Sequence, residues 1–418
     1  MAKKLSVGQN TLFNSLGSLV YLACQWLITV LVVKLASYED AGNLSLAMSI
    51  TNMFFTLATF GIRDFQVSDY QEKYATSTYV TTRLMTCLCS TCVCCAVVLA
   101  NRHYTPHQAA CIILYMLFRV SEALVDVFQA IEQKAERMDY ACISFLLRGA
   151  FLLGVFCFAL AVTHNLLVAI AGIALFSLGV VVLFDFQVGR KLTGFQLNFS
   201  LRRTLSLLWE CAPLMCNSFL TAAIVAIPRS VLESVHGSYA LGIYASIASP
   251  ATIVQSAAMW LYTPALTTFT RYYAEGEKKN YYGLYGKLWL IIAAAVAAVL
   301  VAAKLLGKWG LSLLFNAEIV AYEYLLIPVL ITTILIACSY FLGALLTITR
   351  TLKIIVISNS ISTALVLALS TPLIRAFGME GVNYVIYLAM GANVLILFTA
   401  LTIVLHRHFR MNAPPDVT

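Results

Sequence analysis

Charge is scarce in this sequence. Asp, Glu, Lys and Arg make up 11% of its 418 residues, whereas soluble chains carry about a quarter. That scarcity excludes a soluble globular enzyme, a disordered chain and a fibrous repeat. Catalytic signatures are missing too, with no Gly-rich phosphate loop, no HExxH and no nucleophile elbow. What is present is apolar: 61% hydrophobic residues and a mean hydropathy of +0.86, arranged in long runs. A helix takes roughly 20 residues to cross the hydrocarbon core, so about twelve spans with short connectors use the whole length. The expected fold class is an all-α polytopic membrane protein.

Hydropathy places spans near 12–33, 41–60, 79–100, 109–131, 141–162, 165–184, 205–228, 241–267, 284–306, 321–345, 352–374 and 384–405. The first run is too long for the apolar core of a signal peptide and no small-residue cleavage site follows, so it is expected to be retained. Of the 27 Lys and Arg, only Lys34, Arg102, Arg229, Lys304, Lys308 and Arg375 fall opposite the N-terminus, while Arg119 and Arg148 fall inside spans. Such a bias puts both termini in the cytoplasm. The net charge of +8 is thus a statement about orientation, not nucleic acid. Five of the 12 cysteines crowd into Cys87, Cys89, Cys92, Cys94 and Cys95 with no His or carboxylate beside them. They read as small apolar thiols, neither a metal site nor a disulfide framework.

The chain repeats itself weakly. Tyr38 to Ser45 resembles Tyr239 to Ser246, with Gly42 and Gly242 200 residues apart, and each stretch opens a span. Six spans per half require parallel repeats, the arrangement of an alternating-access transporter with a central cavity. The expected organisation is an N-terminal six-helix lobe (1–188), a basic cytoplasmic linker (189–204), a second six-helix lobe (205–405) and a cytoplasmic tail (406–418).

Ionisable residues inside spans mark functional sites by default. The fourth span holds most of them: Tyr115, Arg119, Glu122, Asp126 and Gln129 recur every three or four residues on one helical face. The other face carries Leu117, Val120, Leu124 and Val127, so the polar stripe is expected to face a cavity. Arg119 and Glu122 can pair one turn apart, and Arg148 adds a cation on the fifth span. The competing reading is a structural ion-pair network stapling those two spans. In the second half the candidates are Glu210, near the cytoplasmic end of span seven, and the neutral Asn217 and Gln255, with Pro213, Pro228, Pro250 and Pro264 expected to interrupt spans seven and eight.

Ser37-Tyr38-Glu39-Asp40-Ala41-Gly42, Gly61-Ile62-Arg63-Asp64-Phe65-Gln66-Val67-Ser68-Asp69, Leu241-Gly242-Ile243-Tyr244-Ala245 and Gly310-Leu311-Ser312-Leu313-Leu314-Phe315 resemble polysaccharide flippases of the Wzx type. The resemblance runs the length of the chain. It implies a MATE-like fold and translocation of an undecaprenyl-diphosphate-linked oligosaccharide from the cytoplasmic to the outer leaflet of a bacterial cytoplasmic membrane. It also implies a cationic cavity without a cofactor, coupling to H+ or Na+, and partners among polysaccharide-assembly enzymes. Lipid II flippases carry two further C-terminal spans, and none is seen before Thr418.

Under that resemblance Arg119, Arg148 and Arg63 match phosphate oxygens with planar, permanently charged donors. Tyr115, Gln129, Asn217 and Gln255 suit sugar hydroxyls. Glu122 and Asp126 either hold the arginines or carry the coupling ion. Two rivals are weighed. A MATE-type cation-coupled exporter predicts carboxylates without arginine partners. An integral-membrane polymerase or glycosyltransferase predicts a sizeable external domain, and the external connectors are short.

Overall fold

The computed structural model describes residues 5–69 and 71–411; Lys3, Lys4 and the tail from 412 lie outside the described residues. Helices α1 (Val7–Leu35), α2 (Tyr38–Thr59), α3 (Ile62–Ser68), α4 (Thr76–Ala100), α5 (Pro106–Lys134), α6 (Met138–Thr163), α7 (Leu166–Val180) and α8 (Phe186–Thr193) follow in order. Then come α9 (Leu201–Tyr262), α10 (Leu266–Ala274), α11 (Lys278–Leu314), α12 (Leu326–Ile348), α13 (Leu352–Phe377) and α14 (Met379–Met411). No strand occurs among the described residues. The fold is thus all-α, as expected.

Local chemistry sets the helix ends. Ser6 with Gln9, and Thr105 with Gln108, form reciprocal capping boxes at the starts of α1 and α5. Ser37 caps α2 through the Asp40 N–H. Phe60 and Gly61 both take positive φ, which stops α2 and re-aims the chain into the short α3. A π turn, Val181–Asp185, joins α7 to α8 without breaking the helix.

Ten of the described helical segments are long and apolar enough to cross a membrane. They differ from the expected twelve in two places. Helix α5 is not among the ten, because Arg119, Glu122, Asp126 and Glu132 crowd its apolar stretch. Residues Leu201–Ala274 count once, as a single stretch of 74 residues. The expected interruptions at Pro213, Pro228 and Pro250 do not occur. The non-helical residue within α9 is Gly237, at φ 81°, a conformation open to glycine. Only Pro264 sits at a change of geometry, in the 3-10 turn Thr263–Ala265. A proline inside a membrane helix frees one carbonyl, and neighbours absorb that without a break.

The chain divides into two compact units, Met1–Gly242 and Ile243–Thr418. The division falls well after the basic linker 189–204, because residues 201–242 pack with the N-terminal helices. Thr82 Oγ1 donates to Thr204 Oγ1 (3.2 Å), and Leu207 and Cys211 join a core with Ile62, Tyr79, Val80 and Phe128. Past the Gly237 break, Ser238 Oγ donates to Asn43 Oδ1 (2.8 Å). There α2 and α9 approach backbone to backbone. A Cβ on Gly42 would fall 1.8 Å from the Ser238 carbonyl oxygen, and one on Gly242 would fall 1.8 Å from that of Tyr38.

In the second unit, Tyr262, Phe269, Tyr281, Phe341 and Phe409 form an aromatic core. Ser339 Oγ donates to Asn393 Oδ1 (2.6 Å), and Asn393 Nδ2 donates to Asn359 Oδ1 (2.8 Å), linking α12, α13 and α14. Outward positions such as Leu99, Phe158, Leu175, Leu183, Leu290 and Leu305 are exposed, as lipid contact requires. All the cysteines named by the sequence are free thiols.

Candidate functional site

Helix α5 packs against α2, α4, α6 and α7 and runs through the middle of the first unit. Its polar face therefore meets other helices along most of its length. Leu117 on the opposite face is exposed, whereas Val127 is fully buried.

Two carboxylates one turn apart organise the stripe, and each is held by two guanidinium groups. Glu122 pairs with Arg119 at 2.5 Å and faces Arg148 at 3.9 Å. It also accepts from Tyr21 Oη (2.7 Å) and Gln25 Nε2 (2.8 Å) on α1. Asp126 accepts from Arg83 Nη2 (2.7 Å) and Arg63 Nη1 (3.3 Å). Four cations thus surround two anions, which leaves the cluster with an excess of positive charge.

The four arginines are not equivalent. Arg83 on α4 is fully enclosed, donating also to the Ala58 carbonyl (3.0 Å), which α2 frees near its end. Arg148 is 3% exposed, donates to Ser177 Oγ and Tyr21 Oη (3.2 Å each), and lies over the Tyr21 ring. The expectation that Arg148 lines an open cavity is therefore corrected: neighbouring helices enclose it, and it serves the Glu122 cluster as the structural staple would. Arg63 retains 30% and Arg119 16% side-chain exposure. Arg119 lies between the Phe55 and Tyr115 rings, at 5.1 and 5.7 Å from their centres, and its Nε has no partner among the described residues. Arg63, on α3, also donates to Gln129 Oε1 (3.1 Å). Of the four guanidinium groups, those of Arg63 and Arg119 keep the most exposure.

Of the other expected site residues, Tyr115 and Gln129 join the stripe and are buried. Glu210 does not. It accepts from Lys73 Nζ (2.7 Å) and Tyr74 Oη (2.9 Å) on the segment before α4, and its carboxylate holds the Lys73 ammonium above its ordinary range. Asn217 lies half-buried on α9, and Gln255 belongs to the second unit, bonded to Tyr340.

Sequence reasoning misses Arg83, Tyr21 and Gln25. Charge sorting leaves Arg83 at the cytoplasmic surface, but α4 begins seven residues earlier and carries it inward. Tyr21 and Gln25 stand four apart on one face of an otherwise apolar span, which is a readable signal. Near Arg63, at one end of the unit, Gln66 lines an open cleft of about 560 Å³ together with Tyr74, Ser77, Tyr79, Lys134 and Phe195. Asp69 braces that end, accepting from the Lys73 and Tyr74 N–H groups and from Tyr79 Oη (2.7 Å). Burial works to raise the Asp69 carboxyl, and these donors overcome it and hold the group below the usual carboxylate range.

Comparison with known proteins agrees with this architecture. The chain is 24% identical over 322 residues to the capsular polysaccharide biosynthesis protein CapF of Staphylococcus aureus, covering 77% of this chain and 80% of that one. An inward-facing MATE family transporter of the MOP superfamily superposes with a TM-score of 0.67 at 10% identity, over 99% of this chain and 97% of its own. A point mutant of the Vibrio cholerae MATE transporter VcmN gives 0.64 at 12% identity over 97% and 96%. A MOP superfamily transporter from Pyrococcus furiosus, described by the reverse polarity of its binding pocket, gives 0.65 at 12% over 96% and 95%. These likenesses establish the fold as that of MATE transporters. The model of the polysaccharide biosynthesis protein family matches residues 7–272, well over half the chain. The chain belongs to the polysaccharide biosynthesis protein family.

Proposed function

We propose that the protein is a flippase of the bacterial cytoplasmic membrane, with both termini cytoplasmic. It carries a polyprenyl-diphosphate-linked oligosaccharide from the inner to the outer leaflet by alternating access. The observation that carries this reading is the excess of guanidinium over carboxylate on the α5 stripe, with Arg63 and Arg119 left partly open. A diphosphate head group is anionic and too hydrophilic to cross lipid unaided, and planar bidentate donors match its oxygens. The family and the relative CapF support a saccharide cargo, and the short connectors argue against a polymerase or glycosyltransferase. The rival reading, a MATE-type exporter coupled to H+ or Na+, needs carboxylates open to a cation. Glu122 and Asp126 are each already occupied by two arginines, which makes them holders of cations on this reading.

The test is flipping of a fluorescent polyprenyl-diphosphate oligosaccharide in proteoliposomes. Arg119→Ala abolishes flipping in folded protein, and Arg119→Lys retains only part, since an ammonium keeps the charge and loses the fork. The double variant Arg119→Gln with Glu122→Gln separates binding from stapling. Folded protein that does not flip supports the proposal; normal flipping by that variant overturns the role of Arg119.

A further inference from the structure

Two carboxyl groups of the first unit stand outside the arginine network. Glu132, in the last turn of α5, is fully buried, and neither of its oxygens has a hydrogen-bond partner among the described residues. Asp185 closes the π turn after α7, is fully buried too, and both of its oxygens are likewise unpartnered. The two lie within electrostatic reach of each other. π turns are rare, and they collect at functional positions because they displace one side chain from the helical register.

Among the described residues, no free cation answers either group. Those facing Glu132 are Asp185, Asp139 on α6 and Arg63 on α3. Asp139 is held by Arg137 through two 2.8 Å bonds, and Arg63 is taken by Asp126 and Gln129. Facing Asp185 from α6 are Arg148 and the Ser144 hydroxyl, and the Arg148 guanidinium is spent on Ser177, Tyr21 and Glu122. On α4, Arg83 is bound to Asp126, and on α8 both Arg190 and Lys191 are exposed at the exterior. A buried carboxylate with no cation of its own is unstable, and the Ser144 hydroxyl beside Asp185 answers only part of that charge, whereas the same group carrying a proton is neutral.

We propose that Glu132 and Asp185 form a buried proton-binding site in which the packed α5–α7 pair carries protonated carboxyls. Breaking the O–H bonds passes the protons to water and leaves two like charges within electrostatic reach of each other. Their repulsion draws water in and loosens the π turn against the end of α5. Among the described residues no hydrogen bond ties either carboxyl to the arginine stripe, and the site does not depend on what the protein carries.

Infrared spectroscopy of the full-length purified protein tests this without any transport assay. The C=O stretch of a protonated carboxylic acid is distinct from that of a carboxylate. A titrating acid band is expected in the wild type, reduced in Glu132→Gln, lost in Glu132→Gln with Asp185→Asn, and unchanged in Asp126→Asn. Hydrogen exchange of residues 181–193 should rise with pH beyond the intrinsic rate in the wild type and not in the double variant. Absence of the band, or its survival in the double variant, overturns the proposal. So does failure of Glu132→Gln to fold, because the amide has the shape and neutrality of the protonated acid.

Discussion

Arg83 shows how much a single side chain can decide in this protein. Among the described residues it is the largest fully buried side chain, and it donates to Asp126 and, beside the Thr86 hydroxyl, to the Ala58 carbonyl at the end of α2. Arg83→Ala is expected to cost about 3–5 kcal/mol, because it leaves a half-paired carboxylate in low dielectric. Adding Asp126→Asn should restore part of the loss, read as detergent-solubilised folded protein and its melting temperature. Asp69 gives the pH counterpart. Its folded pKa lies below its unfolded one near 3.9, so its contribution is present above that value and vanishes as pH falls through the folded value. Asp69→Asn should cost about 1–3 kcal/mol at neutral pH and flatten the acid side of the melting curve. The stripe residues are legible because a three-to-four spacing needs only local sequence. Their partners come from α1, α3, α4 and α6, and no local pattern says which distant cation meets which anion.

Among the elements, α2 and α9 carry the most specific information. The weak internal resemblance includes Gly42 and Gly242, and the structure brings those two glycines into reciprocal backbone contact. Sequence comparison within one chain can show the resemblance; only packing shows that the two positions meet. A methyl group on either glycine must push the two backbones apart, which is expected to cost on the order of 1–3 kcal/mol as overpacking. Since either substitution opens the same contact, the double variant Gly42→Ala with Gly242→Ala should cost little more than one alone. A double-mutant cycle on melting temperature checks this, and strict additivity would refute a shared contact. The prolines mislead for a physical reason: in a membrane helix the backbone groups a proline frees are satisfied again by close neighbours, whereas the positive φ at Gly237 cannot be helical at all.

At the scale of the whole molecule, composition alone is enough for the fold class. Low charge and long apolar runs leave only helices with internally satisfied backbones. The division into units is less legible, since a run of basic residues marks a loop and not the place where packing changes partners. Helix α5 is the segment that composition serves worst, and this bears on how the chain enters the membrane. Each charged residue at the centre of a span opposes insertion by about 2.5–3.5 kcal/mol, and α5 carries Arg119, Glu122 and Asp126. Yet Tyr21, Gln25, Arg63 and Arg83, which answer those charges, all precede α5 in the chain. During synthesis they emerge first, so α5 meets its counter-charges already in the bilayer, and only Arg148 arrives later. A reporter fused after Lys134 should therefore sit on the cytoplasmic side when residues 1–134 are made together. The same reporter should lose that fixed placement when synthesis starts at residue 101, because α5 then has to cross the bilayer alone with its charges unanswered.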